Sequence, residues 1–174
     1  MHTKRNVFIA VFSFLILTIF VLYGTYYYIL DKQKILLDLT NTNILKLTEK
    51  FLDNKINTTL AIALSLVKDY ELHKLMATQE YDKFNYNDIS QQIKDNTKFK
   101  NIWIQIIDKE GNSIYRSWTD KKGDNLLFRK DLKKFIDDKK ISTSISVGLY
   151  SMTIKARAPI IDEENNFLGA LEII

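Results

Sequence analysis

The residues best suited to binding chemistry lie at alternating positions of one short β-like segment. Between Ser113 and Trp118, the period-two alternation of a strand puts Ile114, Arg116 and Trp118 on one face. A guanidinium group can hold a carboxylate through two parallel hydrogen bonds, and a neighbouring aromatic ring excludes water from the contact. We therefore predict that Arg116 binds an anionic small molecule. The alternative is a structural salt bridge beside a core tryptophan.

Other segments supply side chains that could complete such a site. Alternation within 150–159 puts Lys155 and Arg157 on one face, where either could act as a second cation. The alternative is a half-buried strand whose apolar side packs on the core while its charged side lies in water. Glu172 lies in the apolar final strand and needs a partner if buried, and Arg157 is the predicted one. The predicted ligand-binding residues are Trp103, Gln105, Arg116, Trp118, Tyr150, Lys155 and Arg157.

No set of residues in the sequence is typical of a catalytic site. The chain has no cysteine, and its two histidines, His2 and His73, are far apart in sequence. The five glycines are scattered, so the sequence contains no glycine-rich phosphate loop. We therefore expect no enzymatic activity, no metal and no cofactor for these 174 residues.

The charge of the chain does not indicate a nucleic-acid partner. The net charge is +4, but the 25 basic residues are interspersed with 21 acidic ones. Nucleic-acid-binding proteins concentrate positive charge on one surface. We therefore expect solvated charged faces and no binding of nucleic acid.

The N-terminal residues predict a membrane anchor. Val7–Leu30 contains no charge and, at about 1.5 Å per helical residue, is long enough to cross a hydrocarbon core of about 30 Å. A cleaved signal peptide is the alternative, but small residues would then follow a shorter apolar region, where this chain has a cluster of tyrosines. Lys4 and Arg5 face Lys32 and Lys34 across the run, so charge alone does not set the orientation. The basic start favours a cytoplasmic tip at 1–6, a transmembrane helix at 7–30 in the bacterial inner membrane, and a periplasmic domain at 31–174.

A long helix is predicted to follow the anchor, over 31–76, with one break near Thr40–Asn43. Apolar residues recur there at steps of three, four and seven, as on one face of a helix. Such a helix is longer than one small domain needs. We therefore predict a homodimer that associates through this helix, the alternative being that the whole apolar face packs within its own domain.

The remaining residues predict an α+β domain with its sheet within 87–174. Short helices are expected over 88–96 and 129–138. Short turns between neighbouring strands imply an antiparallel arrangement, with helices covering the sheet. The five predicted strands are Asn101–Ile107, Ser113–Trp118, Ser142–Val147, Tyr150–Pro159 and Asn166–Ile174.

The order of these elements resembles that of a known family. NIWIQIIDKEGNSIYRSW, from Asn101 to Trp118, is similar to the strand–D-x-x-G–strand hairpin of the Cache sensor domains of bacterial receptors. The segment from Pro159 to Leu171 resembles the closing hairpin of that family. The resemblance covers roughly 31–174 and implies a PAS-like fold with a five-stranded antiparallel sheet. The spacing Arg116-Ser117-Trp118 differs from the Arg-x-x-x-Trp signature of the family's amino-acid-binding subgroup.

The resemblance implies an extracytoplasmic input domain that binds a small metabolite and passes a conformational signal across the membrane. Its receptor would be a chemoreceptor, a sensor histidine kinase or a diguanylate cyclase. Since the sequence ends within an apolar strand, we expect a receptor truncated before its second membrane helix. The alternative is a membrane-anchored assembly protein with a pilin-like architecture and no small ligand. Against this alternative, the apolar run lacks the early glutamate of type IV pilins.

Overall fold

The computed structural model describes residues 2–147 and 152–174, and it confirms the α+β class. The chain divides into two compact units, one ending at Phe51 and one running from Leu52 to Ile174. The first unit is helical throughout its described part, and the second contains the sheet. Tyr150 of the predicted site, and Met1 of the predicted tip, lie outside the described residues.

The first helix, α1, extends over His2–Leu66 and includes the apolar N-terminal run. Within the described part of the chain, it is the one helix long and apolar enough to cross a membrane. The predicted break near Thr40–Asn43 is wrong, because helical hydrogen bonding continues through these residues. Their side chains do not interrupt the helix, and the hydroxyl of Thr42 donates to the carbonyl of Asp38 at 2.8 Å.

The break in the predicted long helix lies instead at 67–69, so α1 is followed by a separate helix α2, Tyr70–Thr78. Asp69 has extended backbone dihedral angles and caps α2, its carboxylate accepting the amide hydrogen of Glu71 at 3.1 Å. His73 Nε2 lies 2.6 Å from the carbonyl oxygen of Val67, which accepts its hydrogen. The chain thus turns where Asp69 satisfies an amide of the first turn of α2 and His73 satisfies a carbonyl of the connection between the two helices.

Two further helices and a short turn complete the helical part. A 3₁₀ turn, Tyr81–Lys83, precedes α3, Asn87–Asn96. Helix α4, Lys130–Asp138, follows the second strand and ends where Lys139 adopts a left-handed conformation, with φ of 52°. The positions of α3 and α4 confirm the two short helices predicted from the sequence.

Five antiparallel strands form one sheet, in the order β2-β1-β5-β4-β3. The hairpin between β1 and β2 turns at Gly111, whose φ of 85° favours glycine. The strand predictions are confirmed, with ends shifted by up to three residues where both ends are described. The strands are β1 Ile104–Asp108, β2 Ser113–Arg116, β3 Ser142–Val147, β4 Met152–Ile161 and β5 Phe167–Ile173.

The two faces of the sheet are covered by different elements. The C-terminal part of α1, together with α2 and α3, packs on an apolar face that we call the helix face. On the opposite face, which we call the charged face, α4 packs over a smaller apolar cluster at one end of the sheet. The strand residues buried on the helix face are Ile104, Ile106, Ile114, Ala156, Ala158, Ile160, Leu171 and Ile173.

Candidate functional site

The register of β2 places Arg116 on the charged face. Arg116 lies opposite Gln105 and Tyr115 opposite Ile106, but a bulge then brings Ser113 opposite Ile107. Ile114 is the extra residue of this bulge and is buried in the core of the helix face. The prediction that Ile114 shares a face with Arg116 is therefore wrong, because a bulge breaks the period-two alternation.

An internal carboxylate holds the guanidinium of Arg116. Nη1 and Nη2 donate to the two carboxylate oxygens of Asp124, at 2.7 and 2.9 Å, and Nη1 also donates to the carbonyl of Lys121. The side chain of Arg116 is 8% exposed. The hydrogen bond from Arg116 lowers the pKa of Asp124. This is the bidentate geometry expected for a bound ligand, but residues of the chain itself complete it.

The two tryptophans lie beside α3. Their ring centroids are 5.5 Å apart and their planes are inclined by 33°. Trp103 is fixed by backbone hydrogen bonds with Ile174, at 2.9 Å in both directions, and Trp118 remains 38% exposed. Both rings line a pocket of ≈ 340 Å³ whose other walls include polar side chains of α3 such as Gln91 and Lys94. Neither lines the pocket next to Arg157 described below.

The charged face contains a buried ion pair between β4 and β5. Glu172 is fully buried and Arg157 is 1% exposed, and Nε of Arg157 donates to Oε1 of Glu172 at 2.7 Å. This confirms the predicted pair. Arg129, which precedes α4, also grips Glu172 with both of its terminal nitrogens, at 2.6 and 2.9 Å. The expectation that the charged side of β4 lies in water is wrong for Arg157, because the residues before and within α4 cover it.

Asp131, in the first turn of α4, is the second carboxylate bound to Arg157. Nη2 of Arg157 donates to Asp131 and also to the hydroxyl of Ser144, at 3.2 Å. Ser144 in turn donates to Asp131 at 3.1 Å. Burial acts to raise the pKa of Asp131, but the positive charges of Arg157 and Arg129 outweigh it and lower the pKa to about 2. Asp131 is therefore ionised at neutral pH.

Gln105 connects the two ends of this polar system. When its amide nitrogen faces Glu172, it donates to Oε2 at 3.0 Å, and its oxygen accepts from Ser113 and from Nε of Arg116, at 2.7 and 3.1 Å. The resulting network joins side chains from all five strands and from α4. It links residues that sequence patterns cannot associate, because each pair is brought together by sheet topology. Its members are Gln105, Ser113, Arg116, Asp124, Arg129, Asp131, Ser144, Arg157 and Glu172.

A pocket of ≈ 360 Å³ adjoins the network between α4 and β3. Three cations and two carboxylates line it. The hydroxyl oxygen of Ser142 is buried there and has no hydrogen-bond partner among the residues that the structure describes. The lining residues are Asp131, Lys134, Phe135, Asp138, Lys140, Ile141, Ser142, Thr143, Ser144 and Arg157.

Lys155 adds to the positive charge of this region. It lies opposite Ser144 in the β3–β4 ladder and is half-buried. Burial, followed by the charge of Arg129, lowers the pKa of Lys155. Of the predicted ligand-binding residues, Arg157 lines this pocket, and Lys155 is electrostatically coupled to it.

The sequence prediction omitted five members of the network, Ser113, Asp124, Arg129, Asp131 and Ser144. Asp124 follows Gly123 in a loop, and Ser144 alternates with other serines in an ordinary strand pattern. Arg129 and Asp131 lie on either side of the first residue of α4, and the sequence of this helix is typical of a solvent-exposed charged segment. Within the described ranges, no three His, Asp or Glu side chains are grouped so as to hold a metal ion. Hydroxyl groups and cations line the pocket, and such groups can form hydrogen bonds with a small polar molecule.

Comparisons with known proteins identify the fold. No family model matches the sequence, and no curated protein matches it. The sensor domain of DcuS from E. coli is 17% identical, with a TM-score of 0.55, over 70% of this chain and 87% of its own. The sensor domain of the histidine kinase DctB from V. cholerae is 18% identical, with a TM-score of 0.56, over 72% of this chain and 50% of its own. The PAS-like sensor-domain fold implied by the resemblance to Cache domains is therefore confirmed.

Proposed function

We propose that this protein is the extracytoplasmic input domain of a bacterial signal-transduction receptor. The observation that carries the proposal is the PAS-like sheet, shared with two sensor domains, in a chain whose first helix can cross a membrane. In this proposal the sheet-containing unit binds a small metabolite in the periplasm. A conformational signal then passes through α1 to the output domain of a histidine kinase, a diguanylate cyclase or a chemoreceptor. The 174 residues themselves have no catalytic role.

The pocket beside Arg157 is the proposed ligand site. Its volume lies at the lower end of the range of small-molecule sites, about 300–1,000 Å³. The pocket is lined by two carboxylates and by three cations, Lys134, Lys140 and Arg157. Because positive charge is in excess, the pocket suits an anionic metabolite. Arg116 is paired with Asp124 and lines neither of the two pockets described above, whereas Arg157 lines this one, so we assign the ligand to Arg157 ahead of Arg116.

Membrane topology tests the receptor proposal. A reporter enzyme that folds only after export, fused after Ile174, should be active, and a reporter that works only in the cytoplasm should be inactive at the same position. As a matched control, the same two reporters are fused before the apolar run. There the export-dependent reporter should be inactive and the cytoplasmic reporter active. A cytoplasmic reporter active after Ile174 would place the sheet inside the cell and contradict the proposal.

A homodimer is proposed to carry the signal. In the first unit, beyond the predicted span, several large apolar side chains of α1 are exposed, including Leu45 and Leu47 at 65% and 68%. Changing both Leu45 and Leu52 to Glu should weaken association of the full chain in detergent, measured by analytical ultracentrifugation. The control Lys46→Glu alters the neighbouring surface without removing an apolar contact. A wild-type chain that stays monomeric at high concentration would exclude the dimer.

A further inference from the structure

The two carboxylates that bind Arg157 are held very differently. Glu172 is fully buried within β5 and accepts four hydrogen bonds, two from Arg129, one from Arg157 and one from Gln105. The side chain of Asp131 is 31% exposed and lies in the first turn of a nine-residue helix, at the wall of the pocket. Glu172 is therefore a fixed part of the sheet, whereas the partly exposed Asp131 can exchange its contact with Arg157 for water while Arg157 keeps Glu172 as a partner.

Arg157 retains hydrogen-bonding capacity on the side of the pocket. Nε binds Glu172, and Nη2 binds Asp131 and Ser144. The hydrogen bonds found for Arg157 within the described residues use Nε and Nη2 and not Nη1. The buried hydroxyl oxygen of Ser142, which lies opposite Arg157 in the sheet, has no hydrogen-bond partner among those residues. Both belong to residues that line the pocket. A compact anion placed there would find a charged donor and a hydroxyl donor together.

We propose that Asp131 is an internal competitor of the ligand for Arg157. A small carboxylate or phosphate group entering the pocket takes the contacts of Asp131 with Arg157 and Ser144, and Asp131 turns toward solvent. This inference rests on the proposed function and adds a regulatory step to its ligand site. The anion must compete with a carboxylate already tethered beside Arg157, so it binds only at concentrations high enough to displace Asp131.

Displacement of the Asp131 carboxylate moves the first turn of α4, and this movement is transmitted to the sheet. Leu132, the next residue of α4, is fully buried and packs in the cluster that contains Ile107 of β1 and Ala170 of β5. Movement of the first turn of α4 therefore disturbs the packing on the two central strands. Such a step couples ligand exchange at Arg157 to the element that covers the charged face.

The test is isothermal titration calorimetry on the full chain in lipid nanodiscs, with sodium acetate and sodium phosphate as probes at constant ionic strength. Asp131→Ala should bind at least one of these anions about tenfold more tightly than the wild type, the equivalent of one charge-assisted hydrogen bond no longer in competition. Asp138→Ala is the matched control. It removes a carboxylate from the same pocket, and no ion pair of Asp138 is found within the described part of the chain. Asp131→Asn serves in the same titration if the alanine variant does not fold.

Each other outcome overturns a defined part of the proposal. If the wild type binds a probe saturably and Asp131→Ala gains no more affinity than Asp138→Ala, Asp131 is no competitor, but the ligand site stands. If Asp131→Ala binds more weakly, Asp131 positions Arg157 for the ligand. If neither probe binds saturably to any variant, the proposed role of Asp131 as a competitor is wrong, and so is the anion site proposed beside Arg157.

Discussion

The two faces of the sheet are both buried, but by different physical means. On the helix face, Ile104, Ile106 and Leu171 are fully buried among side chains of α1, α2 and α3. On the charged face, the central positions are occupied by Gln105, Glu172 and their arginine partners. Hydrophobic burial is non-directional and independent of pH, whereas a buried ionic network depends on each partner and on its ionisation. The helix face thus stabilises the fold, and the charged face is where we propose that a ligand binds.

The largest effect is expected from removing the central charge of the network. Glu172→Gln keeps the size of the side chain but leaves Arg129 and Arg157 without their shared carboxylate. Breaking a buried ion pair by removing one partner costs about 3–5 kcal/mol. The free energy of unfolding, measured by denaturant titration of the full chain in detergent, should fall by that amount. Glu163→Gln, an exposed position in the turn before β5, is the control and should change it by less than about 0.5 kcal/mol.

Equal stability of these two variants would contradict the assignment of a cooperative network to the charged face. It would mean that water reaches Glu172 and replaces its partners, since only solvation could offset the lost charge.

A somewhat smaller effect is expected from opening a cavity on the helix face. Ile106 is fully buried, and Ile106→Ala should lower the free energy of unfolding by about 2–5 kcal/mol. Ile145, 43% exposed on the edge strand β3, provides the matched truncation, Ile145→Ala, with a cost of about 1 kcal/mol or less. Because Ile106→Ala removes no titrating group, the loss in the free energy of unfolding should be the same at about pH 4 and about pH 7. A cost that varied with pH would show that the two faces are not independent.

The smallest effect is expected in the pH dependence of stability that Asp131 contributes. The pKa of Asp131 is lowered from 3.8 to about 2, because the charges of Arg157 and Arg129 outweigh the effect of burial. A carboxyl group with a lower pKa in the folded than in the unfolded chain stabilises the fold above the unfolded value and loses that contribution as the pH falls toward the folded value. The stability difference between wild type and Asp131→Asn should therefore be constant from about pH 5 to 7 and shrink between about pH 4 and 2. A difference that stays constant through the acid range would show that Asp131 is not paired.

The helix face and the antiparallel hairpins follow from local patterns, whereas the charged face and the pairing of β1 with β5 do not. Apolar alternation identifies β4 and β5, and the short turns at Gly111 and Asp162 imply antiparallel neighbours. The end of α1 was harder to predict because Thr40–Asn43 contains helix-disfavouring residues that nevertheless remain helical, whereas the capping residue Asp69 looks like any surface aspartate.

The partners of the arginines depend on tertiary contacts far apart in the chain. The alternation in β2 could not reveal the bulge at Ile114, since a bulge depends on pairing with β1. Glu172 and Arg157 were matched because both interrupt apolar strands, but Arg129 lies 43 residues before Glu172 and carries no signal in its spacing. Buried polar networks are specified by the fold as a whole, so single-strand patterns reveal the charged residues within apolar strands and not their partners in loops and in α4.

The central claim is that the charged face, at Arg157, receives the ligand. The most direct measurement is nitrogen-15 NMR of the full chain in detergent micelles, following the side-chain N–H signals of the four arginines and two tryptophans during titration with acetate or phosphate. We expect the Nε–H signal of Arg157 to shift saturably while the indole signals of Trp103 and Trp118 stay in place. A saturable shift of the indole signals with Arg157 unchanged would place the ligand at the pocket beside α3 and exclude Arg157 as its binding residue.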